Sequence, residues 1–328
     1  MLWPCVLALL LKTASAQPAP GTAPATQAKE RDISGTFEFD PGYRRDSFNY
    51  NIASHFPGIA APNVLSEAAW QRLLIYEFDF RMHVEINHGL YAKWKLGFGN
   101  IDAGTVQASD YGADGRTGEW SRVLADAKFG HTFDTSLGFG YRIKLGRHDE
   151  TSLIPLLGYS YDKQTLSMRY GTQVLSSCPP SPPFPAGTCA APLGNVAGLD
   201  SSLKALWTGT WLGLDFETKA FDHFLIGAGI EHHFHAKYKA SGNLNLRTDL
   251  QHPISFTQAA NAEANNVLLS VRYLPANNWS IGLIAERQEW AAGPGTHTYN
   301  TIAGSTPNSL NKVRWNSMAG TLSLQLRH

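Results

Sequence analysis

Between Phe129 and Lys144 the residues fall into two alternating sets. Phe129, His131, Phe133, Thr135, Leu137, Phe139, Tyr141 and Ile143 form one, and Gly130, Thr132, Asp134, Ser136, Gly138, Gly140, Arg142 and Lys144 the other. Successive side chains of a strand point to opposite faces, so this sixteen-residue run separates an oily environment from a small or charged one. Strands of soluble sandwiches run for about five or six residues, whereas a tilted strand crossing a bilayer needs about nine to eleven. The length predicts a membrane strand.

The same period recurs along the chain and predicts ten strands. They lie near Ser47–Ala53, Ala69–Val84, Leu90–Asn100, Asp126–Leu145, Ser152–Val174, Leu203–Glu217, His223–Lys239, Glu263–Tyr273, Trp279–Trp290 and Arg314–Arg327. Connections at Asn87–Gly89, Gly146–Thr151, Thr218–Asp222 and Leu274–Asn278 are short. Those at Ser54–Ala68, Ile101–Ala125, Leu175–Ser202, Ala240–Ala262 and Ala291–Val313 are long. This is the rhythm of an all-β fold, a ten-stranded antiparallel transmembrane β-barrel with short periplasmic turns and long extracellular loops. Lipid would meet Tyr76, Phe78, Leu212, Leu214, Ile281 and Leu283, while their alternates turn inward. Among those, Glu231, His233, His235, Asp134, Arg142 and Asp215 are expected to form an interior polar network, with Lys93, Lys237 and Glu286 nearby. A ten-stranded barrel encloses little space, so mixed charges should plug it by hydrogen bonding. Trp279 and Tyr273 flank a short turn, where an aromatic girdle belongs.

Composition narrows the picture. Charged residues make up only 16%, and 27 Lys plus Arg balance 27 Asp plus Glu, so nothing points to a nucleic-acid partner. No apolar run of about eighteen residues follows the N-terminus, which excludes a transmembrane helix there. Leu2 to Leu11 followed by Ala14-Ser15-Ala16 reads as a signal peptide over residues 1–16. Residues 17–33, rich in Pro, Ala and Thr, read as a flexible leader, leaving 34–328 for the barrel. Cys5 lies in the signal, and Cys178 and Cys189 bracket a Pro-rich loop where an exported protein would carry a disulfide. His-x-His at 233 and 235 on a strand can bind zinc only with a third ligand, and no metal or other cofactor is expected.

Several landmarks resemble the omptins, outer-membrane aspartate and histidine proteases. They are Leu65-Ser66 with Trp70, Gly99-Asn100 leading to Ser109-Asp110-Tyr111, Pro155-Leu156-Leu157-Gly158-Tyr159, and Trp211-Leu212-Gly213. The resemblance implies a ten-stranded barrel in the outer membrane of a Gram-negative bacterium, with a cleft at its outer rim. It also implies lipid and lipopolysaccharide contacts, to which Glu119, Trp120 and Arg122 are candidates, and a peptide or surface ligand. Omptins pair two aspartates in the second outer loop with an Asp-x-His beyond the seventh strand. Here the first pair reads Ala108 and Asp110, and the segment from Ala240 to Asn245 holds neither acid nor imidazole. Asp110, Asp114, Asp249 and His252 are the catalytic candidates left. Losing one partner of such a unit lowers rates by orders of magnitude. The favoured expectation is therefore a non-proteolytic surface binding or envelope protein. The alternatives are an endopeptidase with a rearranged Asp/His site and a narrow pore for small solutes.

Overall fold

The computed structural model describes residues 33–327 apart from 55–61, 88, 147–149, 182–183, 185, 222 and 276–277. The signal peptide (1–16) and all of the leader reading (17–33) except Ile33 lie outside these residues. Twelve strand segments follow one another: β1 (Ile33–Ala53), β2 (Ser66–Ile86), β3 (Leu90–Ala113), β4 (Thr117–Asp126), β5 (His131–Tyr141), β6 (Ile143–Leu145), β7 (Thr151–Ser176), β8 (Gly194–Ala220), β9 (Phe224–Asn243), β10 (Phe256–Tyr273), β11 (Trp279–Thr301) and β12 (Gly304–Arg327). β4 pairs with the outer parts of β3 and β7, and β5 with their inner parts, so β4 to β6 stand end to end as one stave. Every ladder is antiparallel and β1 closes on β12, giving a ring of ten staves.

The lipid belt occupies only the part of each strand nearest the short turns. Phe78, Leu157, Leu214, Leu283 and Leu324 are exposed on it. Its upper limit is marked by rings paired across neighbouring strands, Tyr43 with Tyr76 at 4.7 Å and Phe98 with Phe133 at 5.4 Å. Its lower limit carries exposed Tyr273 and Trp279, as the girdle reading expects. Above the upper rings the strands continue outward. Most of what reads as long loops is strand: Ile101–Ala125 contains the β3–β4 hairpin, and between β11 and β12 only residues 302 and 303 remain as a turn. The first strand also begins earlier than expected, since Glu38 and Asp40 alternate with Phe37 and Phe39 before Pro41-Gly42 interrupts the pattern.

The interior has two layers. Within the belt it is charged. Arg81 holds Asp40, Asp79 and Glu286 at 2.6, 3.0 and 2.9 Å, Arg44 holds Asp46 at 3.1 Å and also Asp134, and Lys93 bridges Asp215 and Glu231 at 2.9 Å each. Nearer the periplasm Arg142 joins Glu85 and Glu217. Inward glycines make room for long neighbours: a Cβ on Gly138 or Gly158 would sit 2.4 or 2.2 Å from the Trp211 ring. Above the charges lies an apolar lid in which Trp207, Trp290 and Trp315 pack with centroids 5.5–6.2 Å apart, flanked by Phe48, Trp70 and Tyr238. Trp315 Nε1 donates to Asp46 Oδ2 at 2.9 Å, joining the lid to the charges beneath.

Five of the six expected network residues face inward. Asp134, Arg142, Asp215 and Glu231 are in ion pairs, and His233 is buried beneath Trp290 with ring centroids 4.7 Å apart. His235 is the exception and corrects the reading. It sits at positive φ in a β-bulge where the β8–β9 register shifts, so the inward set passes to Ala236, Tyr238 and Ala240. His235 and Lys237 are exposed, and Lys237 Nζ donates to Asn261 at 2.6 Å.

Candidate functional site

Above the lid the inward faces of the strand extensions line the outer mouth of the barrel. On one wall the register brings Ser66, Asp110 and Ser121 side by side across β2, β3 and β4. Burial raises the Asp110 carboxyl above the usual range against the opposing effect of hydrogen bonds from Ser66 and Ser121. The other wall is built by the 244–255 connection and the β11–β12 hairpin, which are tied by Gln251 N–H to Asn300 O at 2.7 Å and Ile302 N–H to Asp249 O at 3.1 Å. Arg247 projects from this wall and its charge reaches Asp110.

The structure brings only some of the expected catalytic residues together. Asp110 faces the Arg247–Asp249 pair, but Arg247 donates to both oxygens of Asp249 at 2.8 and 2.6 Å, which holds that carboxyl below its usual range. His252 is exposed. Its Nδ1 meets Asn243 Oδ1 at 2.8 Å and its Nε2 meets Arg247 O at 3.2 Å, so its own wall occupies both ring nitrogens and no carboxylate orients it. Asp114 lies at the tip of the β3–β4 hairpin, accepting the Asn63 N–H at 2.6 Å, away from the others. Of the lipopolysaccharide candidates, Arg122 Nε donates to Glu119 at 2.8 Å, and Trp120 packs on Phe184. The disulfide between Cys178 and Cys189 is formed.

Sequence reasoning missed a cluster on β1, β10 and β11. His297 is 1% exposed, stacked on Phe256 at 4.7 Å and packed edge-on to Tyr299 at 4.4 Å, with Tyr50 alongside. Tyr238 Oη donates to Gln258 Oε1 at 2.7 Å, which turns the amide so that Gln258 Nε2 donates to His297 Nδ1 at 3.0 Å. The imidazole then carries its proton on Nε2, a buried atom with no partner. Burial pulls the His297 pKa down to about 3 and, with help from the Asp110 charge, pushes Tyr299 up to about 12. The available signal was the alternation Gly295, His297, Tyr299, which lies in a stretch read as loop. Among the described residues no three His, Cys, Asp or Glu side chains converge as a metal site.

Residues 38–327 match the family described as Pom, Protochlamydia outer membrane protein. The chain belongs to the Pom family. This Pom barrel resides in the outer membrane of a Gram-negative bacterium. It is similar in fold to the outer membrane protease OmpT from Escherichia coli, with 10% identity over 90% of this chain and 97% of that one and a TM-score of 0.70. The translocator domain of the autotransporter NalP from Neisseria meningitidis aligns over 89% and 88% of the two chains at 10% identity, with a TM-score of 0.33. No curated protein matches the Pom barrel significantly.

Proposed function

We propose that this Pom barrel is a non-proteolytic surface-binding protein that uses the outer mouth rather than a conduit through the wall. The observation that carries this reading is the state of His252 and His297, the two imidazoles at the mouth among the described residues. Hydrolysis of a peptide by activated water needs a base within hydrogen-bond reach of that water and ready to take its proton. His252 has both nitrogens occupied, and His297 is a buried neutral ring whose pKa near 3 makes it a poor proton acceptor. Asp110, the acid retained from the omptin pattern, faces a guanidinium instead of an imidazole. The tryptophan lid supports the same reading against a pore, because conduction requires a continuous wetted path.

The test uses refolded, heat-modifiable barrel with lipopolysaccharide present, incubated with peptides containing basic residues and inserted separately into planar bilayers. No cleavage and no conductance are expected. Cleavage lost in both Asp110→Ala and His252→Ala would overturn the reading in favour of an endopeptidase, and discrete conductance steps would overturn it in favour of a pore.

A further inference from the structure

The charged layer beneath the lid contains more negative than positive groups. Arg44 is shared by Asp46, Glu77 and Asp134. Arg81 and Lys95 are shared by Asp40, Asp79 and Glu286. A further carboxylate, Asp162, is 5% exposed and has no ion pair among the described residues. Seven buried carboxylates thus meet three basic groups. Isolated charge in such a site is costly, so protons or cations must make up the difference.

The surroundings of Asp162 indicate which. Six inward side chains on β5 and β7 form three rungs, with Thr132 opposite Gln164, Asp134 opposite Asp162, and Ser136 opposite Ser160. Directly opposed side chains of an antiparallel pair have Cβ atoms about 4.5–5.5 Å apart, so the two carboxylates share one small volume. Three oxygens on these rungs, Thr132 Oγ1, Gln164 Oε1 and Asp134 Oδ1, are buried without a hydrogen-bond partner, and the Ser160 hydroxyl donates to Asp162. Arg44 engages Asp134 through Oδ2, leaving Oδ1 free. Asp134, Ser136, Ser160 and Asp162 also line a cavity of about 100 Å³. A proton on Asp162 would remove one charge and supply one donor. A hard cation would engage several orphaned oxygens at once and take water from the cavity for its remaining positions.

We propose that the β5–β7 ladder binds a calcium ion between Asp134 and Asp162, with Ser160 and cavity water completing the oxygen set. Calcium accepts six to eight oxygens in irregular geometry, whereas magnesium demands a near-ideal octahedron and zinc prefers nitrogen and sulfur donors. With Asp46 and Glu77 also sharing the single Arg44 guanidinium, Asp134 and Asp162 leave negative charge for a divalent ion. The ion would lie inside the barrel wall, separate from the outer mouth.

The full chain, refolded in detergent free of lipopolysaccharide and stripped with EDTA, should bind one calcium ion per barrel in equilibrium dialysis. Its heat-modification midpoint should rise as calcium is added. Asp162→Asn should abolish both effects while still migrating as a folded barrel, and Ser160→Ala should weaken binding about tenfold without disturbing the fold. Wild-type barrel that binds no calcium would overturn the proposal, as would binding unchanged in folded Asp162→Asn or, should that variant fail to fold, in Ser160→Ala. Binding of magnesium with no response to calcium would overturn the calcium assignment.

Discussion

The two halves of a single strand show opposite chemistry. On β8 the inward set runs through Leu203, Ala205 and Trp207 above the upper rings of the belt and through Asp215 and Glu217 below them. The outward set includes Lys204 above and Leu214 and Phe216 below. The strand never changes which residues face inward; only the polarity of each set reverses. Above the membrane the barrel follows the rule of soluble proteins, apolar inside and polar outside, and within the membrane it follows the inverse. The surrounding solvent, not the backbone, sets the pattern.

Substitutions can test this contrast at each level. Arg44→Ala should have the largest effect, because it leaves three carboxylates in the interior without their guanidinium. A loss of about 3–5 kcal/mol is expected, read from urea unfolding in detergent, with little heat-modifiable barrel recovered. Trp207→Ala removes the centre of the lid and should cost about 3 kcal/mol, since the neighbouring rings of Trp290 and Trp315 fill part of the space. If the lid contributed only shape, the same assay would show no change. On the outer surface, Leu283→Arg places a charge at mid-belt and should cost about 2–3 kcal/mol of folding into vesicles, while Asn316→Arg, just above the belt, should be near neutral.

A smaller effect is expected from pH. The His297 pKa lies near 3 when folded and near 6.5 when unfolded. Its contribution is complete above pH 6.5 and is lost as the pH falls, because the unfolded chain then takes up a proton that the folded one refuses. Stability should drop by up to about 2 kcal/mol between pH 6.5 and pH 5, and His297→Phe should flatten that slope in acid denaturation profiles. The smallest effect belongs to Asp114→Ala at the exposed hairpin tip, expected to stay within about 0.5 kcal/mol in the urea assay.

The polarity reversal explains what could be read from the sequence. The ten staves were legible because the lipid belt imposes a long, regular alternation, as in Phe129–Lys144 and Trp279–Trp290. Beyond the upper rings the alternation continues with its sense inverted and with more small polar residues, so Ile101–Ala125 and Ala291–Val313 read as loops although they are largely strand. His235 was misplaced because a bulge adds a residue without any turn residue to mark it. Of the outer mouth, Asp110 was found through its family landmark. His297 and Tyr299 were not, because their importance comes from packing onto Phe256 of the facing strand and onto Tyr50 of β1, which is distant in sequence.

The closure of the ring also constrains how the chain folds. Thr36 pairs with Arg327 and Phe48 with Trp315, so the final seam joins the two most distant strands of the barrel. Every other ladder can form between neighbours in sequence, but this one must bring together strands separated by nearly the whole chain, and such long-range pairing is intrinsically slow. The last step of assembly is then expected to be the meeting of β1 with β12. Until it occurs, both strands present unpaired edges to which other chains can add.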